Sequence, residues 1–162
     1  MNVEEAFHEL VSGTDYPMVI VTVAVAEERD GCLVGFFTQA SIEPPRLIVM
    51  LSKANRTCRL AHQATELAVH FARDADRDLA SLFGEETGDH VDKFARCSWE
   101  VGPGGSPVLR GTRGWVSGRI LDRLDAGDHV AHLLEISDAH VDSEGEQLSY
   151  QAVSAMEAGH PV

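Results

Sequence analysis

The sequence predicts a mainly β domain, an antiparallel barrel or sandwich with peripheral helices, and three observations carry that reading. About seven short runs are apolar and rich in β-branched residues. Most are separated by turn-forming residues close enough together for hairpins. Helical patterns are few and do not alternate with the strands, which excludes a doubly wound sheet.

In chain order, residues 3–11 read as a short helix with Val3, Phe7, Leu10 and Val11 on one side and Glu4, Glu5 and Glu9 elsewhere. Residues 13–17, Gly-Thr-Asp-Tyr-Pro, break it. Residues 18–26 form a strand, 27–31 a polar turn ending in Asp30-Gly31, and 32–38 the return strand of a hairpin. Glu43-Pro44-Pro45 stops that strand, and 46–51 form the next. Residues 55–64 read as a helix capped by Asn55 or Ser52. A strand over 66–71, a helix over 76–83 with Asp78 in its first turn and Gly84 at its end, and a helical piece at 91–94 follow. Residues 102–107 read as a loop, and 115–124 with 129–138 as a hairpin about Ala126-Gly127-Asp128. A further acidic turn lies at 142–146. One domain is expected over residues 1–152, with 153–162 a mobile tail.

A length of 162 residues suits one domain, and 44% hydrophobic against 24% charged residues suits a packed one. Thirteen basic residues against 26 acidic ones leave −13, a charge that repels nucleic acids and anionic membranes. No apolar run reaches the roughly 18 residues of a membrane helix, and the acidic start Met1-Asn2-Val3-Glu4-Glu5 lacks signal-peptide order. Cys32, Cys58 and Cys97 form no Cys-x-x-Cys pair and read as free thiols in a reducing cytoplasm. Eight histidines include no His-x3-His pair, so no metal site is read. His129 and His132, three apart on a strand, point to opposite faces.

Neither a Gly-x-Ser-x-Gly elbow nor a phosphate-binding Gly-x4-Gly-Lys loop occurs. The chemistry concentrates in residues 46–60, where an apolar strand runs into Ser52-Lys53 and a helix starts. Lys53, Arg56 and Arg59 place three cations within seven residues of an acidic chain. With the hydroxyls of Ser52 and Thr57, Asn55 and the amides of a helix start, they make a site sized for one phosphate. A solvated helix face is the other reading of Arg56 and Arg59. Lys53 and Lys93 are the only lysines, Lys93 standing before Phe94. Thr38, Gln39, Ala40 and Ser41 after a strand present polar groups to the edge of a flat heterocycle, or simply end the strand. Gly127-Asp128-His129 puts a titratable ring at a hairpin tip.

Asp30-Gly31, Gly35, Thr38 and Ser41-Ile42-Glu43-Pro44-Pro45 before an apolar strand resemble the flavin reductase-like, FMN-binding split-barrel family. Ser52, Asn55 and Thr57 resemble its phosphate-side segment, and Gly127-Asp128-His129 its Gly-Asp-His motif. Asp92-Lys93-Phe94, Trp99, Pro107-Val108-Leu109 and Trp115 follow in the family's order, so the resemblance spans about residues 16–150. It implies a Greek-key split barrel, usually a homodimer, with FMN, or FAD in its place, in a groove at the dimer interface. It implies hydride passing from NADH or NADPH to flavin, which in some members then supplies a separate monooxygenase. His129 would lie at the nicotinamide, main-chain donors near Thr38–Ser41 at the flavin ring edge, and Ser52, Lys53, Asn55, Arg56 and Thr57 at the phosphate. Lys93 and Phe94 are carried over as cofactor-side residues. The stretch Thr38-Gln39-Ala40-Ser41 is several residues shorter than in reductases of the family, and His132 stands in a strand where glycine is common there. A deazaflavin or protein electron donor, and a non-enzymatic flavin-binding module, are the competing readings.

Overall fold

The computed structural model describes residues 1–156. Nine strands form two sheets: β1 (Val19–Val25), β2 (Glu28–Val34), β3 (Phe37–Ser41), β4 (Arg46–Ser52), β5 (Glu66–Phe71), β6 (Trp99–Val101), β7 (Pro107–Leu109), β8 (Gly114–Asp125) and β9 (His129–Val141). The helices are α1 (Val3–Ser12), α2 (Arg56–Ala61), α3 (Arg77–Glu85) and α4 (Tyr150–Val153). The large sheet is antiparallel with the order β2-β1-β5-β8-β9-β4-β3, and β6 pairs with β7.

That order forces curvature. Seven strands laid flat at their usual spacing would hold β2 and β3 about 29 Å apart. Yet only Gly35 and Phe36 separate these two edge strands in the chain, a link that spans about 10 Å when extended. The sheet therefore curls until its edges face one another, a barrel left split because no ladder joins β2 to β3. The expected single strand over 32–38 is corrected accordingly: Val34 ends one edge and Phe37 begins the other. The first turn also moves. Val25 pairs with Glu28, so Ala26 and Glu27 alone turn the hairpin, and Asp30-Gly31 lies within β2. Ala26 takes φ 54°, a left-handed value that a two-residue hairpin demands.

Val19, Val21 and Val23 alternate into the barrel with Val49, Leu51, Leu67, Val69, Val130 and Leu134. Cys58, Leu60 and Ala61 of α2 plug this core, and the Arg123 guanidinium donates to the carbonyls of Ala61 at the end of α2 and of Ala64 just beyond it, both at 2.8 Å. The opposite face of β1 is buried too, Ile20 packing with Phe83, Phe94 and Leu109. A strand covered on both sides reads as a near-continuous apolar run, as residues 18–26 do apart from Thr22, whose hydroxyl donates to Pro107 O at 2.6 Å.

The stretch 102–107 is more ordered than a loop, holding a 3-10 turn between β6 and β7. His70 ties this small sheet to the barrel: its Nδ1–H donates to Ile20 O at 2.9 Å, and its Nε2 accepts from Leu109 N–H at 2.9 Å. Helix α3 continues past Gly84, where glycine lets it approach Leu33 closely. The expected tail begins too early. Val153 is buried with Met18, Ala72, Ala80 and Leu148, and Gln147 donates to Met18 O at 2.9 Å, so this segment is strapped to the core. Residues 157–162 of that tail lie outside the described residues. Helix α1, though closed by an Asn2–Glu5 capping box, buries none of its residues.

Candidate functional site

The site grows from one register position. Ser52 at the end of β4 pairs with His129 at the start of β9. The Lys53 N–H donates to Asp128 O at 2.9 Å, and Lys53 Nζ donates to both oxygens of Asp125 at 2.8 Å. Gly127 turns the hairpin with φ 129°, and its N–H donates to Asp125 Oδ1 at 3.1 Å. The turn carrying His129 is thus docked on the Ser52-Lys53 corner. His129 Nδ1 sits 2.6 Å from Asp128 Oδ1, and that hydrogen bond holds the Asp128 carboxyl below its usual range.

His129 begins a row of rings. Its centroid lies 4.9 Å from Phe36, Phe36 lies 6.4 Å from Tyr16, and Tyr16 stacks on Tyr150 at 4.6 Å. These rings, with Met18, Met50, Ser52 and Asn55, line a groove of about 270 Å³. Gly35 makes the row close-packed, since a Cβ there would come within 2.5 Å of the Tyr16 ring. Burial first, and then the neighbouring Tyr150, push the Tyr16 phenol up.

Of the residues singled out from sequence, Ser52, Asn55 and His129 meet in this groove. The others are placed elsewhere. Lys53 is engaged by Asp125 rather than free. Arg56 turns to a second groove, donating to Arg29 O at 3.0 Å. Arg59 is paired with Asp89 at 2.8 Å. Thr57 is fully buried behind the Asn55 cap, whose Oδ1 accepts the Thr57 N–H at 3.1 Å. Helix α2 has six residues, too short a stack of peptides to bring much dipole to an anion. Lys93 is a core residue: its Nζ donates to Gly31 O at 2.7 Å, and burial pushes its pKa down. Phe94 is buried edge-on between Phe83 and Trp99. Thr38, Gln39, Ala40 and Ser41 lie along the edge strand β3, and Gln39 and Ser41 border an apolar depression with Phe37, Leu47 and Phe71. They do not reach the His129 groove.

Sequence reasoning missed the aromatic wall. Tyr16, Phe36 and Tyr150 come from three distant segments, brought together when Tyr150 N–H donates to Tyr16 O at 2.8 Å. The adjacent pair Phe36-Phe37 held a signal: neighbours on a strand point to opposite sides, so one of two aromatics must leave the core.

Residues 11–158 match the model of the flavin reductase like domain. The chain belongs to that family. It is 31% identical over 114 residues to a probable flavin reductase of Rhizobium meliloti, covering 68% of this chain and 36% of that protein. It is 32% identical over 114 residues to the reductase subunit of a stachydrine N-demethylase from the same organism, covering 68% and 48%. The chain thus spans between a third and a half of the length of these relatives. A flavin reductase domain protein from Arthrobacter superposes with a TM-score of 0.84 at 23% identity, covering 98% of this chain and 96% of that one. A Streptomyces globisporus NADH:FAD oxidoreductase does so at 0.82 and 21%, covering 91% and 87%. At such identities these structures establish the shared fold.

Proposed function

We propose that this flavin reductase family member is an NAD(P)H:flavin oxidoreductase, taking FMN or FAD in the groove between His129 and Tyr150. The observation that carries this reading is the row of rings with hydroxyl and amide groups at one end. Flat apolar walls suit a planar heterocycle, and Ser52 and Asn55 suit its polar side chain. When bound, the flavin supplies the hydride-accepting ring system. The protein's part is to position and to exclude water. Phe36 and Tyr16 present the wall, while Asp128 fixes the orientation of His129, which borders the space left for a nicotinamide. The free thiols Cys32, Cys58 and Cys97 suit a reducing compartment such as the cytoplasm.

A homodimer completes the reading. The groove falls just below the roughly 300–1,000 Å³ of sites that enclose a ligand. A partner's wall would close it, and the apolar depression beside Phe37, Leu47 and Phe71 supplies surface for such a contact. Kinship with a demethylase reductase subunit supports delivery of reduced flavin to a separate monooxygenase.

The test is oxidation of NADH and of NADPH under air with FMN, FAD or riboflavin added. Steady consumption that needs both partners is expected. His129→Ala should cut turnover at least about tenfold while flavin affinity stays within about threefold. A purified chain that binds no flavin by fluorescence titration overturns the reading.

A further inference from the structure

Helix α1 lies bare on its own chain. It buries none of its ten residues, and isolated helices shorter than about 12–15 residues are marginal in water. Its apolar stripe is Val3, Phe7, Leu10 and Val11, with Phe7 59% and Leu10 74% exposed. Gln151 Nε2 fixes the root of the helix, donating to Ser12 O at 3.3 Å and to Thr14 O at 3.0 Å. From that root the helix leaves the barrel, and nothing among the described residues covers the stripe.

A complementary surface stands on the same chain. The apolar depression beside Phe37 and Leu47, of about 450 Å³, runs into another of about 200 Å³ beside Trp115 and Val141, because Phe71, Val116 and Ala139 line both. The two form one apolar trough, and Val141 at its end is 82% exposed. Arg113 at this end makes no ion pair among the described residues. The α1 stripe, by contrast, is bordered on the helix by Glu4 and Glu9, and the helix carries no Lys or Arg.

Shape, polarity and charge therefore match: a convex apolar stripe with an acidic margin, and a concave apolar trough with a cation at its rim. Every copy of the chain carries one of each. Two copies related by a two-fold axis cover both helices and both troughs at once. Pairing α1 with α1 would set glutamates against glutamates and leave the troughs bare. The same acidic margin disfavours an anionic membrane.

We infer that α1 crosses to a second copy of this chain and lies in its trough, the apolar stripe on Phe71, Trp115, Val116 and Val141 and the glutamates toward Arg113. The inference rests on the homodimer reading above and names the segment that makes the contact.

Sedimentation velocity and amide hydrogen exchange on the full chain, over a dilution series, test this. The dimer should protect the amides of residues 3–12 at least about tenfold, and dilution to monomer should abolish that protection. Phe7→Asp with Leu10→Asp, and separately Val141→Asp, should each raise the dimer dissociation constant at least about tenfold. All three residues are exposed in the single chain, so these variants fold, as circular dichroism verifies. Arg113→Glu should raise the constant about three- to tenfold, and adding Glu4→Arg with Glu9→Arg should recover most of that loss. Leu124→Asp, exposed but off the trough, should leave it within about twofold. A dimer that Phe7→Asp with Leu10→Asp does not weaken overturns the crossing and spares the homodimer. A wild-type chain that stays monomeric throughout overturns both. Protection of residues 3–12 that persists in the monomer puts α1 on its own chain and overturns the crossing, as does a loss in Leu124→Asp equal to that in Val141→Asp.

Discussion

Ser52 and His129 stand directly opposite each other on β4 and β9, and the next amide, Lys53 N–H, closes the corner on Asp128 O. The strand end assigned to an anion and the hairpin tip assigned to a titratable ring are therefore one structural unit. Lys53 serves that unit through Asp125, whereas Arg56 points away from it toward the second groove.

From this split, Lys53→Ala should lower turnover about three- to tenfold with FMN and with riboflavin alike, because it loosens the turn that carries His129. Lys53→Arg should recover most of it. Arg56→Ala, which removes a side chain turned into the second groove, should leave both FMN and riboflavin affinities within about twofold. Fluorescence titrations and steady-state rates measure both.

Gly35→Ala should displace the Tyr16 ring, which leaves no room for a Cβ. The expected cost is about 1–3 kcal/mol of stability, as for overpacking elsewhere. Flavin affinity should fall about tenfold as the aromatic row opens. Urea unfolding and flavin titration report the two effects separately.

His70 makes stability pH-dependent. Burial holds its pKa at about 4, below the ordinary 6.5, so the folded ring is neutral while the unfolded ring protonates first. Stability from this group is therefore complete above pH 6.5 and declines as pH falls toward 4. The full shift corresponds to about 3 kcal/mol. Unfolding curves between pH 7 and 4.5 should show this decline in the wild type and a shallower one in His70→Gln. Parallel curves for the two proteins would contradict it.

Ala26→Gly should raise stability by about 1 kcal/mol, since glycine adopts the positive φ of this hairpin corner without strain. A melting temperature higher by about 2–4 °C is the expected reading for a domain of this size.

The sequence by itself determined the strand-rich antiparallel class, the segments of β1, β4, β5, β8 and β9, and the Asn55 cap of α2. Apolar runs with period two, turn residues and an Asn cap are local signals, legible one segment at a time. Tertiary structure alone decided where the β2 edge ends and β3 begins, because that break comes from closing a seven-stranded sheet upon itself. It also decided the fate of the cations. Lys53, Arg59 and Lys93 look alike along the chain, but Asp125, Asp89 and the Gly31 carbonyl engage them from positions far away in sequence. The aromatic wall was equally hidden, since Tyr16, Phe36 and Tyr150 become neighbours only when the C-terminal segment straps across the N-terminal one. Local pattern reports what a residue prefers; which partner satisfies it is fixed by long-range packing.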